Sequence, residues 1–308
     1  MQAWRFAHVA DIQVGSPKSF RFQPAWNENW ETARRQILEV RPDLLLVGGD
    51  LTRDGAIHRW ELESIHADLS ALPFPCHVIP GNMDTGNKHT GVNGAVREGR
   101  DGDVNLNLTR GALTQFESVF GPSRWSVVHR GTRFTGLCDM LLGSGLPEEE
   151  EQWAWIDRLK SLPREKRHVW ILHYALFIDG PDEPTWDITD PDQYHCWYFS
   201  IDKPHRRRLV EAFKATGADL VITGHVHNRK SFDVDGIRID CAPATCMSQF
   251  ARRWPDADPT LGFTVYTVTD NGIEGQFVAL DTVSTSGGYG PGGHPPPKAR
   301  DYSVAWEK

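Results

Sequence analysis

The stretch "DLLLVGGD", residues 43–50, decides how the chain is read. Its centre is continuous in Leu and Val, the pattern of a strand covered on both faces, and it stops at two glycines and a carboxylate. On one side "NENWETARRQILEV" (27–40) puts Trp30, Ala33, Ile37 and Val40 on a single helical face; on the other, "IHRWELESIHADLSAL" (57–72) reads as a second helix. "WRFAHVA" (4–10) and "PCHVIP" (75–80) supply the neighbouring strands. This alternation predicts an α/β layered fold.

The same reading extends to the rest of the 308 residues. "WSVVHRGTRFTGLCDMLL" (125–142) predicts a hairpin turning at Gly131, and "PEEEEQWAWIDRL" (147–159) a helix with Pro and Glu in its first turn. "HVWILH" (168–173) and "ADLVITGH" (218–225) are buried strands with the helix "PHRRRLVEAFKAT" (204–216) between them. After residue 228, an Asp-Gly and an Asn-Gly turn mark two further hairpins. The polar, Gly-rich segment 85–107 reads as a long loop. The acidic, aromatic insert after His173, about 176–204, reads as a rim that shapes substrate choice, or as a surface loop with aromatics packed beneath it. We expect one domain over 1–283 and a flexible Gly/Pro-rich tail over 284–308.

With 39% hydrophobic residues the chain can bury a sizeable core, while 33 basic against 41 acidic residues and no basic stripe argue against a duplex nucleic-acid surface. No run approaches the roughly 18 apolar residues of a membrane span. The start "MQAWRFAHVAD" lacks the layout of a secretion signal, so a cytoplasmic location is expected. Cys76, Cys138, Cys196, Cys241 and Cys246 show no CxxC spacing and read as incidental thiols.

Polar residues gather where the apolar runs stop: Asp11 and Gln13, Asp50, Asn82, His173, and His225 with His227. In open α/β sheets, ligands bind at the carboxyl ends of strands. Asp11 with Gln13, and His225 with His227, are two residues apart and in an extended chain point to one side. A strand-end Asp is usually a turn former or a helix cap, and a lone buried His is usually a satisfied core residue. Seven at five strand ends are not explained that way. Oxygen and imidazole donors without thiolate suit Mn, Fe, Zn or Co, and seven donors fit a two-metal site with one bridging carboxylate.

In order and spacing, "ADIQ", "GGDL", "GNMD", "LH" and "GHVH" resemble the motifs of the calcineurin-like metallophosphoesterase superfamily, over residues 5 to about 280. The resemblance implies a four-layer α/β/β/α sandwich of two mixed sheets. It also implies two divalent ions, one held by Asp11, Gln13, Asp50 and His227 and the other by Asp50, Asn82, His173 and His225. Gln13 stands where the superfamily usually has His. This is similar to a subgroup with Mn-dependent ADP-ribose/CDP-alcohol pyrophosphatases and CPPED-type protein phosphatases, the latter also resembled in "GNMDTGN" and "YFSIDKPHRRRLVEAF".

Met83 stands at the superfamily's general-acid His and has no proton to donate, which leaves the adjacent Asp84 without the partner it would orient. A His restored at 83 is then expected to recover proton donation beside Asp84. His89 and His195 are further candidates to reach the crevice. By resemblance, Asp50, Asn82 and His173 serve catalysis, and the chain hydrolyses a phosphate monoester or a phosphoprotein by attack of a metal-bound hydroxide. The alternatives are a nucleotide-type pyrophosphatase or phosphodiesterase, and a weakened metal-containing binding protein.

Overall fold

A computed structural model of the chain describes residues 2–89, 106–188, 190–249, 254 and 256–288. Two sheets face each other. The first has the order β11-β10-β1-β2-β3, built from β1 (Trp4–Val9), β2 (Leu44–Gly48), β3 (Cys76–Ile79), β10 (Gly262–Val268) and β11 (Ile273–Ala279). The second has the order β4-β5-β6-β7-β9-β8, from β4 (Trp125–His129), β5 (Thr132–Gly136), β6 (Arg167–Ile171), β7 (Leu220–Thr223), β8 (Lys230–Val234) and β9 (Ile237–Cys241). Both are mixed: β1, β2 and β3 run parallel, as do β5, β6, β7 and β9, while the hairpin partners are antiparallel.

Between the sheets lies an apolar layer contributed by both, including Phe6, Leu44 and Leu46 from the first and Phe134, Val169 and Ile222 from the second. Phe6 stacks on Tyr266 at 4.8 Å within its sheet and meets Phe134 edge-on at 5.1 Å across the gap. Helices α1 (Pro24–Val40), α2 (Arg59–Ser70) and α4 (Arg110–Phe120) cover the outer face of the first sheet through Trp30, Ile37, Ile65 and Phe116. Helices α5 (Pro147–Leu159) and α7 (Lys203–Thr216) cover the second through Trp153, Ile156, Leu209 and Phe213. This is the α/β/β/α sandwich. It buries the near-continuous Leu and Val of β2 on both faces, as its composition predicts.

Three differences from the sequence reading have local causes. The hairpin strand ends at Gly136 rather than 142, because Asp139–Leu141 turns into a short 3-10 helix whose Asp139 carboxylate accepts from the amides of His173 and Tyr174. Helix α4, unread in the sequence, is capped by Thr109, whose hydroxyl accepts from the Ala112 amide at 3.1 Å. Two more unread helices are α3 (Asn82–Thr85) and α6 (Pro191–Phe199), the latter inside the insert. Most of the expected loop (90–105) and tail (289–308) lies outside the described residues. No described helix is long and apolar enough to cross a membrane.

His8 points from β1 into the layer between the sheets, fully buried, with neither ring nitrogen hydrogen-bonded among the described residues. Burial lowers its pKa to about 3. The unfolded chain therefore takes a proton near the ordinary value of about 6.5 that the folded chain refuses, so stability falls as pH drops below that value. The expected slope is about 1.4 kcal/mol per pH unit from this residue. Urea titrations at several pH values check it: His8→Leu should flatten the acid-side loss, and an unchanged slope would show that His8 is not its source.

Candidate metal centre

The chain turns sharply just past the strand ends. Asp11, Gln13, Asp50, His225 and His227 all adopt left-handed backbone, with φ of 54°, 51°, 50°, 69° and 53°. The other non-glycine residues with positive φ among those described are Arg41, which caps α1, and Arg130 and Asp235, each before a turn glycine. The expectation that extended chain aligns Asp11 with Gln13 and His225 with His227 is corrected here. All four lie beyond β1 and β7, and alternate left-handed residues bring each pair to one side.

Backbone bonds hold these turns in register: the Asp11 amide donates to Gly49 O (3.0 Å), Gln13 to Asp50 O (2.9 Å), and the His225 amide to the Asp11 carboxylate (3.0 Å). Gly49 is left-handed too (φ 89°), and a Cβ there would stand 2.6 Å from His173 Nδ1. A Cβ on Gly81 would overlap the amide and carboxylate of Asp50. The close approach of strands at this end therefore depends on glycine.

The structure brings all seven sequence-predicted residues together, each nearly fully buried. Donor atoms of Asp50, His173 and His225 lie within 4.8 Å of one another, and so do those of Asp11, Asp50 and His227. Asp50 belongs to both groups. His173 Nε2 is 3.3 Å from Asp50 Oδ1 and His227 Nε2 is 3.2 Å from Asp11 Oδ1.

Each histidine has one ring nitrogen on a backbone carbonyl: His173 Nδ1 on Gly48 O (2.9 Å), His227 Nδ1 on Met247 O (2.7 Å), His225 Nε2 on Tyr198 O (3.3 Å). Donation there leaves the other nitrogen of each ring with a lone pair, the arrangement that orients metal-ligating histidines. The two amides differ. Asn82 turns its oxygen to His173 Nε2 (3.0 Å), with Nδ2 donating to Asn87 Oδ1 and Tyr198 Oη (2.8 and 3.2 Å). Gln13 donates from Nε2 to Asp50 Oδ2 (3.2 Å), and its oxygen accepts from Arg53 (3.3 Å).

The electrostatics match a cation-binding cluster. Burial, the largest single influence, pulls the His173 imidazole down, but the charge and hydrogen bond of Asp50 together with the charges of Asp11 and Asp139 outweigh it and raise the pKa to about 10. Asp50 is itself held below the usual carboxylate range, with His173, His225 and the Met83 amide outweighing its burial. Burial and then His173 push His225 well below its ordinary value. Carboxylates that would otherwise keep a proton on His173 have the charge and place to hold a metal ion, so the donor set fits one.

Several partners were not legible in the sequence. Asp139 accepts from the amides of His173 and Tyr174 (3.1 and 2.6 Å) and so fixes the end of β6. From the insert, α6 delivers Tyr198 and Phe199, whose rings each lie 5.0 Å from His225. The thioether of Met83 lies 3.4 Å from Arg53 Nη1 and 3.5 Å from Arg21 Nη2. His89 turns away to Leu108 O (2.9 Å), and His195 lies against Tyr194. The five cysteines are free thiols; Cys246 supports the site through its backbone, its amide donating to Asp11 O at 3.1 Å.

The idea that Asp84 is left without a partner is corrected. Its carboxylate accepts from the amides of Leu51, Thr52 and Gly81 and from the Thr52 hydroxyl, and ties the strand-end loops together. It has no role left in orienting a side chain at 83. Two guanidiniums would also hold an imidazole there unprotonated. Met83→His is therefore expected to raise kcat/KM for an alkyl phosphate by no more than a few-fold. A gain near 10²-fold, the size of a general-acid contribution, would contradict that.

Comparison with known proteins agrees with this geometry. The calcineurin-like phosphoesterase family profile matches residues 5–229. The chain is 24% identical over 304 residues to a protein named serine/threonine-protein phosphatase CPPED1 from Danio rerio, covering 92% of this chain and 86% of that one. It is 21% identical over 273 residues to a probable cyclic nucleotide phosphodiesterase from Ruthia magnifica subsp. Calyptogena magnifica, covering 88% and 96%. In fold it is similar to a purple acid phosphatase from yellow lupin (Lupinus luteus) seeds, with a TM-score of 0.61 at 14% identity over 93% of this chain and 53% of that one. The chain belongs to the calcineurin-like phosphoesterase family, and with it to the hydrolases of phosphoesters.

Proposed function

We propose that this chain is a two-metal phosphatase acting on a phosphate monoester, on a small molecule or a phosphoprotein. The observation that carries the reading is the shared Asp50 carboxylate, a member of both three-residue donor groups. Asp11 and His227 complete one side, and His173, His225 and the oxygen of Asn82 the other; Gln13 stands beside Asp50, its Nε2 donating to that carboxylate and its oxygen turned to Arg53. Metal ions held there supply Lewis acidity toward phosphoryl oxygens and lower the pKa of water. The chain's own residues do the rest. Backbone carbonyls fix the three imidazoles, Asn87 and Tyr198 hold Asn82 with its oxygen inward, and the Met83 amide donates to Asp50 at 2.8 Å.

The likeness to CPPED1 phosphatases over most of both chains supports a monoester. Met83 favours a second reading, hydrolysis of a phosphoanhydride, because a departing phosphate needs no proton whereas an alkoxide does. Both readings predict activity that disappears on chelation and returns with Mn, at close to two ions per chain by elemental analysis. A panel of phosphotyrosine and phosphoserine peptides, ADP-ribose and cyclic AMP separates them. The first reading expects the highest kcat/KM on the phosphopeptides, with phosphotyrosine ahead, and the second on ADP-ribose. Preference for cyclic AMP, or an Asp50→Asn variant with unchanged metal content, would contradict both.

A further inference from the structure

We infer that Tyr198, delivered from the insert by α6, is a positioning residue for the metal ion on the His173 side, because it holds two of that ion's candidate ligands at once. This deepens the two-metal phosphatase reading and rests on it. The Tyr198 hydroxyl oxygen accepts from Asn82 Nδ2 at 3.2 Å, and its backbone carbonyl accepts from His225 Nε2 at 3.3 Å. Asn82 lies just past β3 and His225 just past β7, strands of opposite sheets. One residue of the insert therefore links the two sheets at the donor cluster. The insert is then a wall of the metal centre, not only a rim around the substrate.

An amide can turn its oxygen or its nitrogen toward a cation, and only the oxygen has lone pairs to offer. Asn82 Nδ2 carries two hydrogens; Tyr198 takes one and Asn87 Oδ1 the other, at 2.8 Å. With both held, the oxygen is the end that faces His173 Nε2, at 3.0 Å. Gln13 shows the contrast, with Nε2 toward Asp50 and its oxygen toward Arg53. Tyr198 is itself buried and fixed, its ring stacked 6.3 Å from that of Tyr194, one turn earlier on α6. The Ala175 amide donates to Phe199 O (3.2 Å) and the Ile201 amide to Ala175 O (2.9 Å), which ties the end of α6 to the chain that follows His173. Lys88, next to Asn87, is buried and donates from Nζ to Ser200 O (2.6 Å) and Asp202 Oδ1 (2.9 Å), with the Trp197 ring 4.3 Å away. The segment that carries Asn82 thus also anchors the helix that orients it.

Mn is the direct probe, followed by calorimetry and electron paramagnetic resonance in wild type, Tyr198→Phe and Tyr194→Phe, with the Tm of each. Tyr198→Phe keeps the ring and the carbonyl and loses only the hydroxyl. It should weaken one Mn roughly 10- to 100-fold, the scale on which groups that orient a ligand act, and leave the other unchanged. At equal Mn concentration the spectrum of a coupled pair should then give way to that of single ions. Tyr194→Phe, the same deletion one turn away, should keep both affinities. A residue that only stabilises the fold would lower Tm and move neither affinity. Two unchanged Mn affinities in Tyr198→Phe overturn the inference. So does an equal loss in Tyr194→Phe, which would trace the effect to packing of the insert. If Tyr198→Phe does not melt cooperatively, Lys88→Met takes its place: it keeps Tyr198 but removes the anchor of α6, and unchanged affinity for both ions overturns the inference. Wild type that binds two Mn with this dependence on Tyr198 but hydrolyses no phosphoester would sink the functional reading and leave this one standing.

Discussion

The site depends on left-handed backbone at the ends of β1, β2 and β7. For an ordinary L-residue this conformation costs on the order of 1–2 kcal/mol, least for Asp, Asn and His, whose side chains tolerate it best. Asp11, Gln13, Asp50, His225 and His227 all adopt it. The cost is offset by bonds the turns make possible: the β1–β2 ladder continues through Asp11 and Gln13, and the Asp11 carboxylate accepts from the His225 amide across the gap between sheets. Straightening any one of these turns would swing its side chain out of the cluster. Strain of this kind persists where the surroundings over-determine it, and it concentrates at functional sites.

Much of this was legible in the sequence. The Leu and Val run of β2, the amphipathic faces of α1 and α2 and the three Gly-marked hairpins announce layers of strands and helices. All seven donor-type residues could be read as the polar residues where apolar runs stop. The left-handed turns could not, because no local signal distinguishes Gln13 at φ 51° from a Gln in an ordinary loop. Long-range partners were hidden for the same reason. Tyr198 lies 116 residues from Asn82, and Arg21 lies 62 residues from Met83. Adjacency also misled: Asp84 follows Met83 in sequence, but the one-turn helix α3 sends its carboxylate back to Leu51 and Thr52.

The two departures from the family's motif series are connected in space. The oxygen of Gln13 and the sulfur of Met83 both accept from Arg53. Neither residue carries charge.

The central claim, that these strand ends form one centre for two cations sharing Asp50, is tested most directly by anomalous diffraction from crystals of the Mn-loaded protein. The account predicts two peaks roughly 3.5–4 Å apart, the spacing of two-metal hydrolases, with the Asp50 carboxylate between them. A single peak, or a pair that leaves Asp50 on one side, would contradict it.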